Sequence, residues 1–158
     1  VPEKLHPTVL KVTTALREAG AMGEVVVFDD AVPTAAAAAA RLGCEVGAIA
    51  NSLVFDADGE PLLVLTSGAH RVDTGLVAGL VGASKVKRAA PDFVKTATGQ
   101  TIGGVAPVGH PAPIRTLVDT WLGEHKVVWA AAGHPHTIFP TTFDELVRIT
   151  DGTPADVE

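Results

Sequence analysis

The segment that most restricts the fold is "EVGAIANSLVFDADGEPLLVLTSG", residues 45–68. Two runs rich in leucine and β-branched residues flank "DADGEP", with Asp58-Gly59 at the turn. An Asp-Gly pair supplies the positive φ that a two-residue hairpin needs, so the stretch predicts two antiparallel strands. Helix signals surround it. "HPTVLKVTTALREAG" places Val9, Val12, Leu16 and Ala19 at helical spacing and closes on Gly20. Thr34 caps an alanine-rich helix that Gly43 stops. The small side chains of that helix suit close approach to a sheet. "EVVVF" reads as a short buried strand, after which residues 29–34 turn.

Val72–Gly82 reads as a weak helix rich in glycine, with Asp73 suited to its N-terminus, and Ala89–Ala97 as a second helix started by Pro91. "RTLVDTWL" reads as a short strand or a turn of helix. "KVVWAAA" and "HTIFP" read as paired strands around "GHP", and "TTFDELVRIT" as a last helix capped by Thr141 or Thr142. The tail after Thr150 is expected to fray. Hairpins dominate and regular βαβ alternation is missing. The expected fold class is therefore α/β (or α+β), with a mixed, largely antiparallel sheet. No linker or repeat divides residues 1–158, which read as one domain.

Composition narrows function by exclusion. The net charge of −6 gives no bulk attraction to nucleic acid, and DNA is not an expected partner. The tight basic cluster "SKVKR", Ser84–Arg88, reads as a solvated helix start or loop. Without tyrosine and with few other aromatics, the core is aliphatic and offers few stacking platforms. Cys44 is the single cysteine, so no internal disulfide forms. It reads as a small buried residue rather than a nucleophile. No run approaches the roughly 20 apolar residues of a membrane span, and the start carries no basic-then-apolar signal. A cytoplasmic location is the expectation, without a membrane partner.

Four constellations carry possible chemistry. "GGVAPVGH" lacks the spacing of a dinucleotide or phosphate loop. Its Gly103 and Gly104 either connect strands or turn successive N–H groups toward a developing oxyanion, with Pro107 fixing the loop. In "GHPHT", His134 and His136 lie two apart. Two same-face histidines fall short of a zinc set, so contact with a substrate, general-base work or a surface turn are the readings that compete. Asn51 stands in an apolar strand approach, either as an edge amide bonded to backbone or as a donor aimed into a pocket. Arg71, just after the hairpin, is placed for a phosphate. No nucleophile motif is present, and neither a cofactor nor a metal is expected.

Taken in order, four segments resemble the YbaK/prolyl-tRNA editing family. They are "PTAAAAAARLGCEVGAIANSLVF", "PLLVLTSGAHRVD", "KVKRAAPDFVKTATGQTIGGVAPVGH" and "VVWAAAGHPHTIFPTTFDELVRIT". The resemblance covers roughly residues 25–150. It implies a curved, barrel-like mixed sheet with flanking helices, and hydrolysis of the ester of a wrongly charged aminoacyl-tRNA. The implied form is a freestanding trans-editing protein whose partner is a mischarged tRNA acceptor end, with an aminoacyl-tRNA synthetase as a further candidate partner. The family's G-x-x-x-P loop falls on Gly103–Pro107, so Gly103, Gly104 and Val105 become the expected oxyanion donors. The turn at Gly133 lies on the other pocket wall, which raises His110, His134 and His136 as pocket candidates, with His136 orienting water. Where the family carries a lysine before Ser-Leu, this chain has Asn51, which offers a hydrogen bond without charge. A histidine or Arg71 compensates, or the substrate differs, or activity is reduced and the domain only binds a tRNA end, a nucleotide or an amino acid. A small pocket compatible with alanine, serine or threonine is expected.

Overall fold

A computed structural model describes residues 7–29, 34–100, 104–134 and 136–158. Helix α1 (Pro7–Glu18) buries Val9, Val12 and Leu16, the stripe its periodicity predicts. Strand β1 is only Val26–Val27 and both residues are exposed, so the expected buried strand is short and sits at a sheet edge. Most of the turn expected at 29–34 lies outside the described residues. Thr34 caps α2 (Ala35–Leu42) by accepting from the Ala37 N–H, and Gly43 ends it in the left-handed region.

The hairpin forms as read. β2 (Ile49–Ala57) and β3 (Glu60–Ser67) pair antiparallel, with Ala57 opposite Glu60. Asp58 and Gly59 take φ of 53° and 92°, the signature of the mirror-image turn that matches strand twist. Beyond the hairpin lie α3 (Thr74–Val81), capped by Asp73, then β4 (Val86–Arg88) and α4 (Pro91–Thr98). β5 (Arg115–Asp119) runs into a 3₁₀ turn, so "RTLVDTWL" is a strand followed by a helical turn. β6 (Val128–Ala131) and β7 (Thr137–Thr141) pair antiparallel, α5 (Phe143–Thr150) is capped by Thr142, and β8 (Thr153–Ala155) follows.

The strands make one mixed sheet in the order β1-β7-β6-β2-β3-β5-β8, with β4 added to β2. Four pairings are antiparallel and three, β2–β6, β3–β5 and β5–β8, are parallel. This is the expected mixed α/β class. Two expectations are corrected. The tail does not fray: β8 docks beside β5 and Val157 is wholly buried in a cluster with Phe55, Leu62 and Val64. Part of "SKVKR" is not a solvated loop but strand β4, opposite Phe55–Ala57.

The turn explains the position of β4. The Asp58 carboxylate accepts from the main-chain N–H groups of Ser84 (2.8 Å) and Lys85 (3.0 Å), and the Asp58 N–H donates to Lys85 O. The hairpin tip thereby draws the chain onto β2 and delivers Arg88 opposite Phe55.

The main core lies on one face of the hairpin, where Ala50, Val54, Leu63 and Leu65 meet α1, α5 and the segment around Val105–Val108. The opposite face, with Phe55, Leu62 and Val64, is covered by α3. Gly133 shows how tightly α1 packs. It has φ +104°, and a Cβ there would stand 3.0 Å from Val12 Cγ2 and 3.2 Å from Thr8 O. Gly133→Ala is expected to cost about 1–3 kcal/mol, read as a lower urea midpoint at unchanged slope. An unchanged midpoint would contradict this packing.

Candidate functional site

β2 changes partners along one edge. Ile49 and Ala50 pair with β6, and Phe55–Ala57 pair with β4. Between these ladders residues 51–54 have no strand partner on that side among the described residues. One contact crosses the gap, from the Ala89 N–H to Val54 O at 3.3 Å. Residues two apart on a strand direct their main-chain groups the same way. Ser52 therefore turns its N–H and C=O toward the same open edge as Val54.

A cavity of about 250 Å³ opens at this interruption. Its floor is apolar and belongs to the main core: Ala50, Val54, Val94, Val105 and Ala130. Ala35 and Ala38 of α2 make a wall with Ile49 and Trp129, so the alanine run leaves room where larger side chains would fill it. The polar side chains of the lining are Thr34, Asn51, Ser52 and Arg88. Thr34 is engaged in capping α2. Arg88 is exposed and is the one charged residue of the lining, with no ion pair among the described residues. Ser52 Oγ is the one shielded side-chain polar atom among the described residues without a hydrogen-bond partner. Such a group costs about 1–3 kcal/mol when left unmet.

The residues singled out from sequence fall in several places. Asn51 and Val105 line this cavity. Gly103 lies outside the described residues. Gly104, Val105 and Pro107 are buried, and the segment is held from within by Gln100. Gln100 Oε1 accepts from the Ala106 N–H at 2.7 Å, and its Nε2 donates to Val108 O at 3.1 Å. The Ala106 amide is thus engaged, while the Gly104 and Val105 N–H groups make no such bond among the described residues.

His110 sits outside this cavity, in a surface groove beside α1. Its Nε2–H donates to Ala106 O at 2.9 Å. Burial pushes its imidazole below the ordinary value of 6.5, and the Ala106 hydrogen bond only partly opposes this. Below pH 6.5 the unfolded chain binds a proton here more readily than the folded chain. The associated stability is complete above that pH and is lost as pH falls through the lower folded value. His110→Gln is expected to narrow the difference between urea midpoints measured at about pH 7.5 and about pH 5. An equal difference in both proteins would contradict it.

The rings of His134 and His136 lie 5.0 Å apart with their planes tilted by 39°, in the β6–β7 turn and outside the cavity lining. The His136 N–H donates to His134 Nδ1, and its own Nδ1 donates to Phe28 O at 3.2 Å, extending the β1–β7 contact. No group of three His, Cys, Asp or Glu among the described residues is arranged to hold a metal ion. Arg71 is exposed beyond β3, where its N–H donates to Glu158 Oε2, and it does not line the cavity. Cys44 is half-buried. Burial, with the Glu45 charge as a smaller contribution, pushes its thiol up, which disfavours the thiolate.

Sequence reasoning did not single out Ser52 or Arg88 as site residues. The serine was visible within "ANSL" and the arginine within "SKVKR". Their convergence depends on β4 reaching β2.

No helix among the described residues is long and apolar enough to cross a membrane. The model of the aminoacyl-tRNA editing domain matches residues 29–149. A crystal structure assigned a proposed role as a trans-editing enzyme for prolyl tRNA synthetase superposes with a TM-score of 0.92 at 38% identity, over 98% of this chain and 99% of that one. Proline–tRNA ligase of Nitratidesulfovibrio vulgaris (strain DP4) is 34% identical over 83 residues, 52% of this chain but only 14% of the ligase. The uncharacterized protein YwhH of Bacillus subtilis (strain 168) is 28% identical over 124 residues, 78% of each chain. The residues that line the cavity all fall within the matched segment, and the chain belongs to the aminoacyl-tRNA editing domain family.

Proposed function

We propose that the protein is an aminoacyl-tRNA deacylase acting in trans, which hydrolyses the ester of a tRNA mischarged with a small amino acid. The observation that carries this reading is the cavity at the interrupted edge of β2, apolar at its floor and polar at Asn51, Ser52 and Arg88. Its volume suits an acyl group of alanine, serine or threonine size. A water attacks the ester carbonyl, the carbonyl oxygen gains negative charge, and the terminal ribose hydroxyl leaves with a proton. The N–H groups of Gly104 and Val105, with Gly103 before them, are the proposed donors to that oxygen. Asn51 orients the ester or ribose by hydrogen bonding.

Arg88 supplies the positive charge that Asn51 lacks. It stands on the same lining as Asn51, whereas Arg71 and the histidines do not. A guanidinium pairs well with a phosphate oxygen of the acceptor end. The test is a deacylation time course on one tRNA body charged separately with alanine, serine and threonine. Release above the buffer rate supports the reading, and buffer-level release with all three removes it.

Asn51 on the cavity wall favours a second reading, a domain that binds a charged acceptor end without cleaving it. An inert parent protein that gains hydrolysis in Asn51→Lys would select this reading over the first.

A further inference from the structure

We propose that Ser52 is a specificity-determining residue, its hydroxyl recognising a hydroxyl on the bound acyl group, so that seryl and threonyl groups are preferred over alanyl. The inference rests on the deacylase reading for its biological substrate but on separate observations for its chemistry. Ser52 lines the cavity, yet its Oγ has neither solvent exposure nor a protein partner among the described residues. The lining around it is mostly aliphatic. Its strand neighbours on the same face, Ala50 and Val54, belong to the main core and carry no polar side-chain atom. Thr34 is already engaged in its cap, and Arg88 is exposed.

An alanyl group entering this cavity would bring a methyl and leave the Ser52 hydroxyl unmet. A seryl or threonyl group would bring a donor and acceptor into reach of it after rotation about the Ser52 Cα–Cβ bond. Sites built around an unmet polar group separate hydroxylated ligands from their deoxy analogues better than apolar pockets do. The expected preference is about tenfold, equivalent to about 1.4 kcal/mol.

The experiment measures single-turnover deacylation of one tRNA body carrying serine, threonine or alanine, by the parent and by Ser52→Ala. It also measures binding of adenosine bearing a seryl or alanyl group through a 3′-amide, which is not hydrolysed. The parent should favour the hydroxylated acyl groups about tenfold in both assays. Ser52→Ala should reduce the seryl-to-alanyl ratio to about one. A seryl-to-alanyl ratio that is the same in parent and variant overturns the proposal. If no acyl group is hydrolysed, the deacylase reading fails by itself, and the amide ligands still decide whether Ser52 discriminates. Serine and alanine have nearly equal volumes, and a thermal midpoint no lower than that of the parent excludes loss of fold.

Discussion

Replacing Arg88 by alanine is expected to slow deacylation at low tRNA concentration about tenfold, with the change in KM rather than kcat. Hydrogen bonds to charged groups contribute about 1.5–3 kcal/mol. Arg88 is exposed, so the lower end applies and corresponds to about tenfold. A contact made to the acceptor end in both ground and transition states raises KM without altering kcat. Arg88→Lys should retain most of the rate because the charge is kept. The double variant Asn51→Lys/Arg88→Ala should recover it, since the two residues share one cavity wall and either position can present a cation there. An Arg88→Ala protein with unchanged kcat/KM, or a double variant no better than the single, would show that the cation of this wall is not used.

Asp119→Ala is expected to destabilise the fold by about 3–5 kcal/mol, a large part of the 5–15 kcal/mol typical of a whole domain. Asp119 is 1% exposed at the end of β5. Its Oδ2 accepts from the Ser67 N–H at 2.9 Å, from His70 Nδ1–H at 2.8 Å and from Thr66 Oγ1 at 3.4 Å. Its Oδ1 accepts from the Trp121 N–H at 2.9 Å. One carboxylate therefore ties the end of β3 to the end of β5 and to the 3₁₀ turn that follows. Alanine would leave the buried Ser67 N–H and the part-buried His70 and Trp121 N–H groups without this acceptor, while the Thr66 hydroxyl keeps Ser67 O, and each such loss is costly. Urea unfolding with an unchanged slope would report the loss as a lower midpoint. A shift worth less than about 1 kcal/mol would mean that the donors find other partners.

Ser67 extends the same knot toward the site. Its hydroxyl donates to Gly47 O at 2.8 Å, just before β2 begins. The Asp119 network thus fixes the start of the strand whose middle forms the cavity edge. The loss of stability in Asp119→Ala and the loss of tRNA affinity in Arg88→Ala should consequently be separable, one read in unfolding and the other in KM.

The family, the mixed sheet and most helices were legible because their signals are local. Asp58-Gly59 specifies its turn within four residues, and Thr34, Asp73 and Thr142 cap helices through N–H groups three residues on. Gly43 and Gly82 stop helices by their own φ. β4 and β8 were not legible. Each has three residues, too few for a period, and owes its strand conformation to Phe55–Ala57 or Leu117–Asp119. β1 was read as buried because "VVV" is apolar, but its place at the sheet edge decides exposure.

By itself the sequence determined the hairpin, the helix ends and the family, since each depends on contacts among near neighbours or on ordered motifs. Only the tertiary structure decided the cavity, because that space exists where β2 passes from β6 to β4, and no single segment contains both boundaries. Asn51 and Val105 were visible as candidates, whereas Ser52 and Arg88 acquired their meaning from distant pairing. A hydroxyl is unmet, and a cation is available, only with respect to everything that surrounds it after folding.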